Sequence, residues 1–452
     1  MLLCAQHVLP IRAKPIVNGA VLVRGGEIRD IGELRMLKLR YPNEEIKNFG
    51  QAALMPGLIN LHTHLETSAL RGIVHDVPYS TWLMMLIEKT AKVDSADWYD
   101  SAILGGLEAI SSGTTCIADI TTTDAVCSAT KHLGIRSVLY REVGAMDKRR
   151  INHAMNQAAS DIARWQDQAD SSRTIIGISP SPLYSCHPAI FKRVSEYAMS
   201  HDHMPIAMHL AGSLEEYNFI KYGSSALSIH KMDTKRGFVE IPPWLPTGST
   251  PVRYALNWGA FESDNVMAIH CVHVDDEDIK KIKEYDVAIA TCPRCNAQLG
   301  MGVPPINEFL RLGLRVGLGT DSPVAVDSTD MLLEMRLGLL VQRAVHVREF
   351  LDSGTMLRMA TIGGARALRL DHKIGSLEIG KLADIIAVDL SGSHQTPMTD
   401  PVSAVVNTCT GADVLMTMVN GKILYEKGCW HVDIDVADNV ARVIEIREKL
   451  RN

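Results

Sequence analysis

Eight short apolar runs, bounded by turn residues and separated by helix-patterned segments, constrain what this chain can fold into. They read LMPGLINLH, GTTCIADI, IRSVLYREV, TIIGISPSP, PIAMHLA, NVMAIHCVH, DVAIATCP and LRVGLGTDS. The intervening segments include SADWYDSAILGGLEAISS and HPAIFKRVSEYAMSH, whose apolar residues recur at helical spacing. Eight strands alternating with helices over roughly 300 residues predict an α/β chain wound into a (β/α)8 barrel rather than an open sheet. No glycine-rich phosphate loop follows any run, which weighs against a doubly wound fold.

The two ends read differently. IVNGAVLVRGGEIRDIGE is a strand–turn–strand pattern with Gly25-Gly26 at the turn. KLADIIAVDL and VLMTMVNGKILYEKG repeat that character near the other end, with Asn420-Gly421 as a second hairpin signal. The expectation is a small flanking β-sandwich domain built from residues 1–56 and 373–452, the latter including a terminal helix. The barrel would span 57–372.

Composition narrows the function classes. Apolar residues make up 46% of the 452, enough for a large core, and no stretch approaches the ~18 uninterrupted apolar residues of a membrane span. Net charge is −6 and no Lys/Arg run stands out, which argues against nucleic acid as partner. The opening segment lacks a basic stretch followed by a long apolar one, so no signal peptide is read. Nine scattered cysteines, an odd number, read as reduced thiols in a cytoplasmic protein.

In such a barrel the C-terminal ends of the strands face the active site. Strand one ends in INLHTHLE, and alternation along a strand sends His62 and His64 to the same side. Strand five ends in His209, strand six in His270 and strand eight in Asp321. Four imidazoles and one carboxylate arriving at one rim from four strands suit a divalent metal, Zn²⁺ or Fe²⁺.

These motifs resemble the amidohydrolase superfamily: PGLINLHTHLE, HL after strand five, HCVH and GTDS, over nearly the whole chain. The closest resemblance within it is to deaminases of adenosine-type nucleosides, particularly the aminodeoxyfutalosine deaminases, through THLETSALRG, CPRCNAQLGMG and LDHKIGSLEIGKLADIIAVD. The resemblance implies one metal ion per chain, Zn²⁺ before Fe²⁺, held by His62, His64, His209 and Asp321. It implies that His270 orients the attacking water or the substrate and that Asp321 also accepts the water's proton. Two-metal relatives use a carboxylated lysine from strand four, and TIIGISPSP contains no lysine.

Departures from the pattern surround that site. Gly212 stands where the resembling deaminases carry a proton-shuttling glutamate, three residues after His209. A carboxylate restored at 212 is expected to reach the substrate ring and raise adenosine-type deamination. Glu215 and Glu216 lie nearby, but Ser213-x-x-Glu216 also reads as a capping box for the next helix. Ser181 replaces a substrate-contacting histidine, Cys295 replaces a serine, and Ala325-Val326 follows GTDS where Ser-Asn is frequent. Arg294 is either a substrate contact or a surface arginine. Trp82 either stacks on a planar ring or packs in the core. Trp244 sits in the Pro-rich VEIPPWLPTGSTPV, read as a lid.

The reading is a metal-dependent hydrolase acting on a small heterocyclic substrate by hydrolytic deamination, with a homodimer as candidate assembly. Triazine-type amino- or chlorohydrolysis at the same metal site is one alternative, since chloride leaves without a proton. A non-catalytic or weakened barrel, suggested by Gly212, is the other.

Overall fold

The eight apolar runs form one parallel sheet wound in sequence order: β1 (Leu58–Thr63), β2 (Thr114–Thr121), β3 (Arg136–Val143), β4 (Thr174–Pro180), β5 (Ile206–Leu210), β6 (Val266–His270), β7 (Ala288–Thr291) and β8 (Val316–Leu318). The computed structural model describes residues 1–90, 93–227, 245–345 and 350–451. Every residue of β1 and β2 is buried, the polar ones included, as expected of a parallel sheet covered on both faces.

The barrel closes between β8 and β1 through side-chain and loop contacts. Asn60 Nδ2 donates to Thr320 Oγ1 at 2.8 Å, and the Thr320 amide returns a bond to Asn60 Oδ1 at 3.0 Å. The Asp321 amide then donates to the His62 carbonyl at 2.9 Å. Glycine at 319 makes this approach feasible, because a Cβ there would lie 2.7 Å from the His62 nitrogen.

The helices follow the sequence pattern. Ser95–Ser111 begins at Asp94, whose carboxylate accepts from the Asp97 amide at 2.9 Å in a reciprocal capping box. Its apolar face, with Ile103, Leu107 and Ile110, is buried in the main core. The terminal helix Val436–Arg451 packs on this helix, with Asn439 Nδ2 on the Asp100 carbonyl at 3.0 Å and Lys449 paired to Asp97 at 3.0 Å. The chain's end therefore braces the barrel flank rather than extending the β-domain. Among the described residues, no helix is long and apolar enough to cross a membrane.

The expected β-domain from both ends is present as one nine-stranded mixed sheet. Both glycine-bearing turns close hairpins with positive φ, 60° and 81° at Gly25-Gly26 and 51° and 77° at Asn420-Gly421. The turns abut, since a Cβ on Gly421 would lie 2.8 Å from the Gly26 Cα. The sheet strand Ala52–Pro56 leads into β1 with Gly57 alone between them.

A buried ion pair fixes the sheet under the barrel. Arg136, at the start of β3, donates through Nε and Nη2 to the two oxygens of Asp384 at 2.7 and 3.1 Å, and Asp384 Oδ1 also accepts from the Asn420 amide at 2.7 Å. Removing one partner strands the other charge in the interior. Arg136→Met is expected to cost about 3–5 kcal/mol, read from urea unfolding. Adding Asp384→Asn to that variant should return part of the loss, and a full-stability single variant would show the pair to be inessential.

Candidate active site

The strand ends turn inward by adopting uncommon backbone geometry. Ala211, His270, Cys271 and Asp321 have φ of 51°, 74°, 48° and 69°, a region that costs a non-glycine residue about 1–3 kcal/mol. At His270 and Asp321 the turn brings the side chain over the barrel mouth. His62 lies 4.8 Å from both His64 and His209, centroid to centroid, and 5.9 Å from His270. The rings of His64 and His209 are parallel to within 4°.

The polar atoms meet in the middle. His62 Nε2 is 3.2 Å from His209 Nε2 and 3.4 Å from Asp321 Oδ1, and His270 Nε2 is 3.6 Å from Asp321 Oδ2. The potential ligand atoms of His62, His64 and His209, and those of His62, His270 and Asp321, lie within 4.8 Å of one another.

Surrounding contacts orient the rings. His64 Nδ1 lies 2.8 Å from the Ile120 carbonyl and His270 Nδ1 lies 3.0 Å from Asn296 Oδ1. A proton on Nδ1 satisfies both contacts and leaves each Nε2 lone pair facing inward. His62 Nδ1 is buried without a partner.

Burial favours the neutral form of His62, His209 and His270. It pulls His62 down to about 4, lowers His270, and takes His209 well below its ordinary value with help from the neighbouring imidazoles. Burial works to raise Asp321, but the facing histidines, His62 first, outweigh it and hold the carboxyl well below the usual range. Inward lone pairs around one carboxylate, with almost no protein donors between them, fit a divalent cation.

Two protein donors do reach the carboxylate, the first being the Ser322 amide, which donates to Asp321 Oδ1 at 2.6 Å. The Cys295 thiol donates to Asp321 Oδ2 at 2.9 Å, and burial, reinforced by Asp321, pushes that thiol well up, so it stays protonated. Cys292 is buried beside it in the core.

A cavity of about 350 Å³ opens above the cluster, with His64, His209, His270 and Asp321 on its wall. Aromatic groups enclose it. Trp82 lines it with its Nε1 buried and unpartnered, and Tyr79 lies 6.3 Å away at 23° to the indole. The hydroxyls of Tyr79 and Tyr184 are hydrogen-bonded to each other. Trp82 is packed in the core at 7% exposure, as one of its two sequence readings expects, and also forms cavity wall. Tyr184 stands within the PSPLY segment but nothing in its spacing marked it, and Tyr79 carried no signal at all.

The other expected substrate contacts fall elsewhere. The guanidinium of Arg294 donates to the carbonyls of Val326 and Ser328 at 2.6 and 3.2 Å, bracing the loop after β8 instead of facing the cavity. Ser181 is absent from the metal cavity's wall and donates to Glu142 Oε1 at 2.7 Å. Trp244 lies outside the described residues, and the lid reading with it.

Gly212 is tightly enclosed. A Cβ there would lie 3.1 Å from His270 Cδ2 and 3.1 Å from Met301 Cε, so the space left by the absent side chain is already filled. A glutamate at 212 therefore reaches the ring only if His270 or Met301 gives way by a few tenths of an ångström. The capping box is also only half formed. Ser213 Oγ accepts from the Glu216 amide at 3.1 Å, but the Glu216 carboxylate reaches past the cap to the amides of Ala211 and Gly212, at 3.1 and 2.9 Å. Burial pushes this carboxyl up to about 7.

The amidohydrolase family model matches residues 53–424. The chain belongs to the amidohydrolase family and is a hydrolase organised around this metal site. It is 32% identical over 428 residues to the 5-methylthioadenosine/S-adenosylhomocysteine deaminase of Caldanaerobacter subterraneus subsp. tengcongensis, covering 93% of this chain and 92% of that protein. The protein of the same name from Pelotomaculum thermopropionicum is 33% identical over 414 residues, covering 91% and 89%. Among solved structures, an adenosine deaminase from Xanthomonas campestris with bound zinc superposes with a TM-score of 0.86 at 26% identity, covering 100% of this chain and 98% of the other. Zinc-bound atrazine chlorohydrolase from Arthrobacter aurescens, at 24% identity and a TM-score of 0.83 over 99% of both chains, shares the fold.

The enclosure of Gly212 has a measurable consequence. Overpacking beside a ring fixed by Asn296 costs about 1–3 kcal/mol. Gly212→Glu is expected to lose that much stability in urea unfolding, and Met301→Ala in the same chain to restore part of it. No recovery in the double variant would show that Met301 is not what fills the space.

Proposed function

We propose that this chain is a mononuclear zinc hydrolase that deaminates an adenosine-type nucleoside or a closely related aminated heterocycle. Nucleosides of the aminodeoxyfutalosine kind fall within that class. The observation that carries the reading is the neutral-imidazole and carboxylate cluster on the floor of an aromatic-walled cavity of about 350 Å³. That volume and wall suit a planar ring system. The deaminase relatives support the choice of reaction.

His62, His64, His209 and Asp321 would hold the ion, which lowers the pKa of a water it binds towards neutrality. The lack of a lysine on β4 favours one ion over two. Asp321, kept ionised, accepts the water's proton and passes it towards the departing nitrogen. His270, fixed by Asn296, presents Nε2 beside Asp321 and orients the addition to the amine-bearing ring carbon. The carbon–nitrogen bond breaks and ammonia leaves.

Elemental analysis of the purified protein is expected to give about one divalent ion per chain, with chelation removing activity and Zn²⁺ restoring it. Two tightly held ions per chain would overturn the mononuclear reading.

Ammonia release over a panel of purine nucleosides, pterins and triazines tests the reaction. The expected result is turnover of adenosine-type compounds, with Asp321→Asn slower by ~10²-fold or more at matched metal content. Chloride release from a chlorotriazine without nucleoside turnover would favour the chlorohydrolase alternative. Ion binding with no turnover of any compound would favour a non-catalytic barrel.

A further inference from the structure

The aromatic cavity shares part of its wall with a more polar space. A second cavity of about 530 Å³ adjoins it, and Glu142 and Ser185 stand on the walls of both. Glu142 is the penultimate residue of β3, at the rim that carries the metal cluster. Its Oε1 accepts from Ser181, whose own amide is tied to the Val143 carbonyl at 2.9 Å. Gly144 leaves room for that serine, since a Cβ at 144 would collide with its Oγ. The carboxylate is therefore held from one side, and Oε2 accepts no hydrogen bond among the described residues.

The charged side chains on the second cavity's wall are Arg141 and Glu142. Arg141 is bound through Nε and Nη2 to Asp161 at 2.9 Å, and Arg164 adds a third bond to that carboxylate at 2.9 Å. The guanidinium of Arg141 is thus turned to Asp161, and among the described residues Glu142 makes no ion pair. An ionised carboxylate only accepts hydrogen bonds. What its free oxygen recognises must bring donors.

We propose that Glu142 is the specificity-determining residue of a two-part substrate site, accepting hydrogen bonds from the hydroxyls of a sugar-type appendage. The planar ring would occupy the aromatic cavity over the metal cluster, and the appendage would pass the Glu142–Ser181 pair into the second cavity. Vicinal hydroxyls offer two donors at a spacing that one carboxylate can take together. This assignment rests on the reading of the site as an aminoheterocycle hydrolase and deepens it, by making the enzyme choose a nucleoside over the corresponding free base.

The test compares wild type, Glu142→Gln and Glu142→Ala, all loaded with Zn²⁺, on adenosine, 2′,3′-dideoxyadenosine and adenine. Hydrogen bonds to a charged group correspond to ~10-fold or more in discrimination. The ratio of kcat/KM for adenosine to that for adenine should fall by about this factor in both variants, chiefly through a higher KM for adenosine. The ratio for the dideoxy compound to adenine should change much less. An adenosine-to-adenine ratio that stays at its wild-type value, or falls equally with the dideoxy compound, overturns the assignment.

If wild type releases ammonia from none of the three, the functional reading has failed, and Glu142 is judged separately by calorimetric titration with adenosine. Binding to wild type that weakens by ~10-fold in Glu142→Gln keeps the assignment. Equal binding, or none to wild type, overturns it.

Discussion

The amide of Asp321 donates to the carbonyl of His62, and its carboxylate faces the His62 ring 3.4 Å away, so one residue both closes the barrel and anchors its cluster. The rest of the site depends on this double attachment. β8 is only three residues long and cannot hold its end by ladder bonds alone. The Asn60–Thr320 pair and the bare Gly319 bring it against β1, and the positive φ of Asp321 turns the carboxylate inward. The strain is tolerated because closure and site geometry require the same backbone course.

Electrostatics at the rim reinforce that arrangement. Neutral imidazoles with inward lone pairs repel one another without a cation, and an ionised carboxylate among them lacks a counter-charge. The fold supplies stiffness instead, through the Ile120 carbonyl, Asn296 and the Cys295 thiol. A thiol that stays protonated can donate to Asp321 without adding a second negative charge. Cys295 thus performs the hydrogen-bonding task open to a serine hydroxyl at that position, with a larger and softer atom.

The barrel and the cluster were both legible in the sequence, for a shared reason. Strands buried on both faces produce uninterrupted apolar runs, and a histidine or aspartate at the end of such a run is conspicuous. The hairpins at Gly25-Gly26 and Asn420-Gly421 were legible because positive φ demands those residue types. What was not legible depends on contacts across the fold. Arg294 looks like a site residue because it follows β7, yet the loop after β8 offers carbonyls at the right distance and takes its guanidinium. Tyr79 arrives from a helix with no local mark, and Glu142 lies mid-pattern in RSVLYREV. The docking of the terminal helix on Ser95–Ser111 likewise required knowing which helix face the barrel leaves uncovered.

The loop after β5 shows how one substitution redistributes tasks. With glycine at 212 the backbone passes close under His270 and Met301, and two consecutive amides, Ala211 and Gly212, turn away from the cavity into the core. Buried amides need an acceptor, and Glu216 supplies one at the price of its own burial. Its carboxylate is therefore committed beneath the loop and does not project at the substrate. The cavity wall above offers hydroxyl and thiol groups, including Tyr79, Tyr184, Ser322 and Cys295, together with the Glu142 carboxyl. On the proposed reading, protonation at a ring nitrogen draws on those groups or on water. The same compact loop leaves His270 pressed between Gly212 and Asn296. The position that lacks an acid thus also borders the ring beside Asp321.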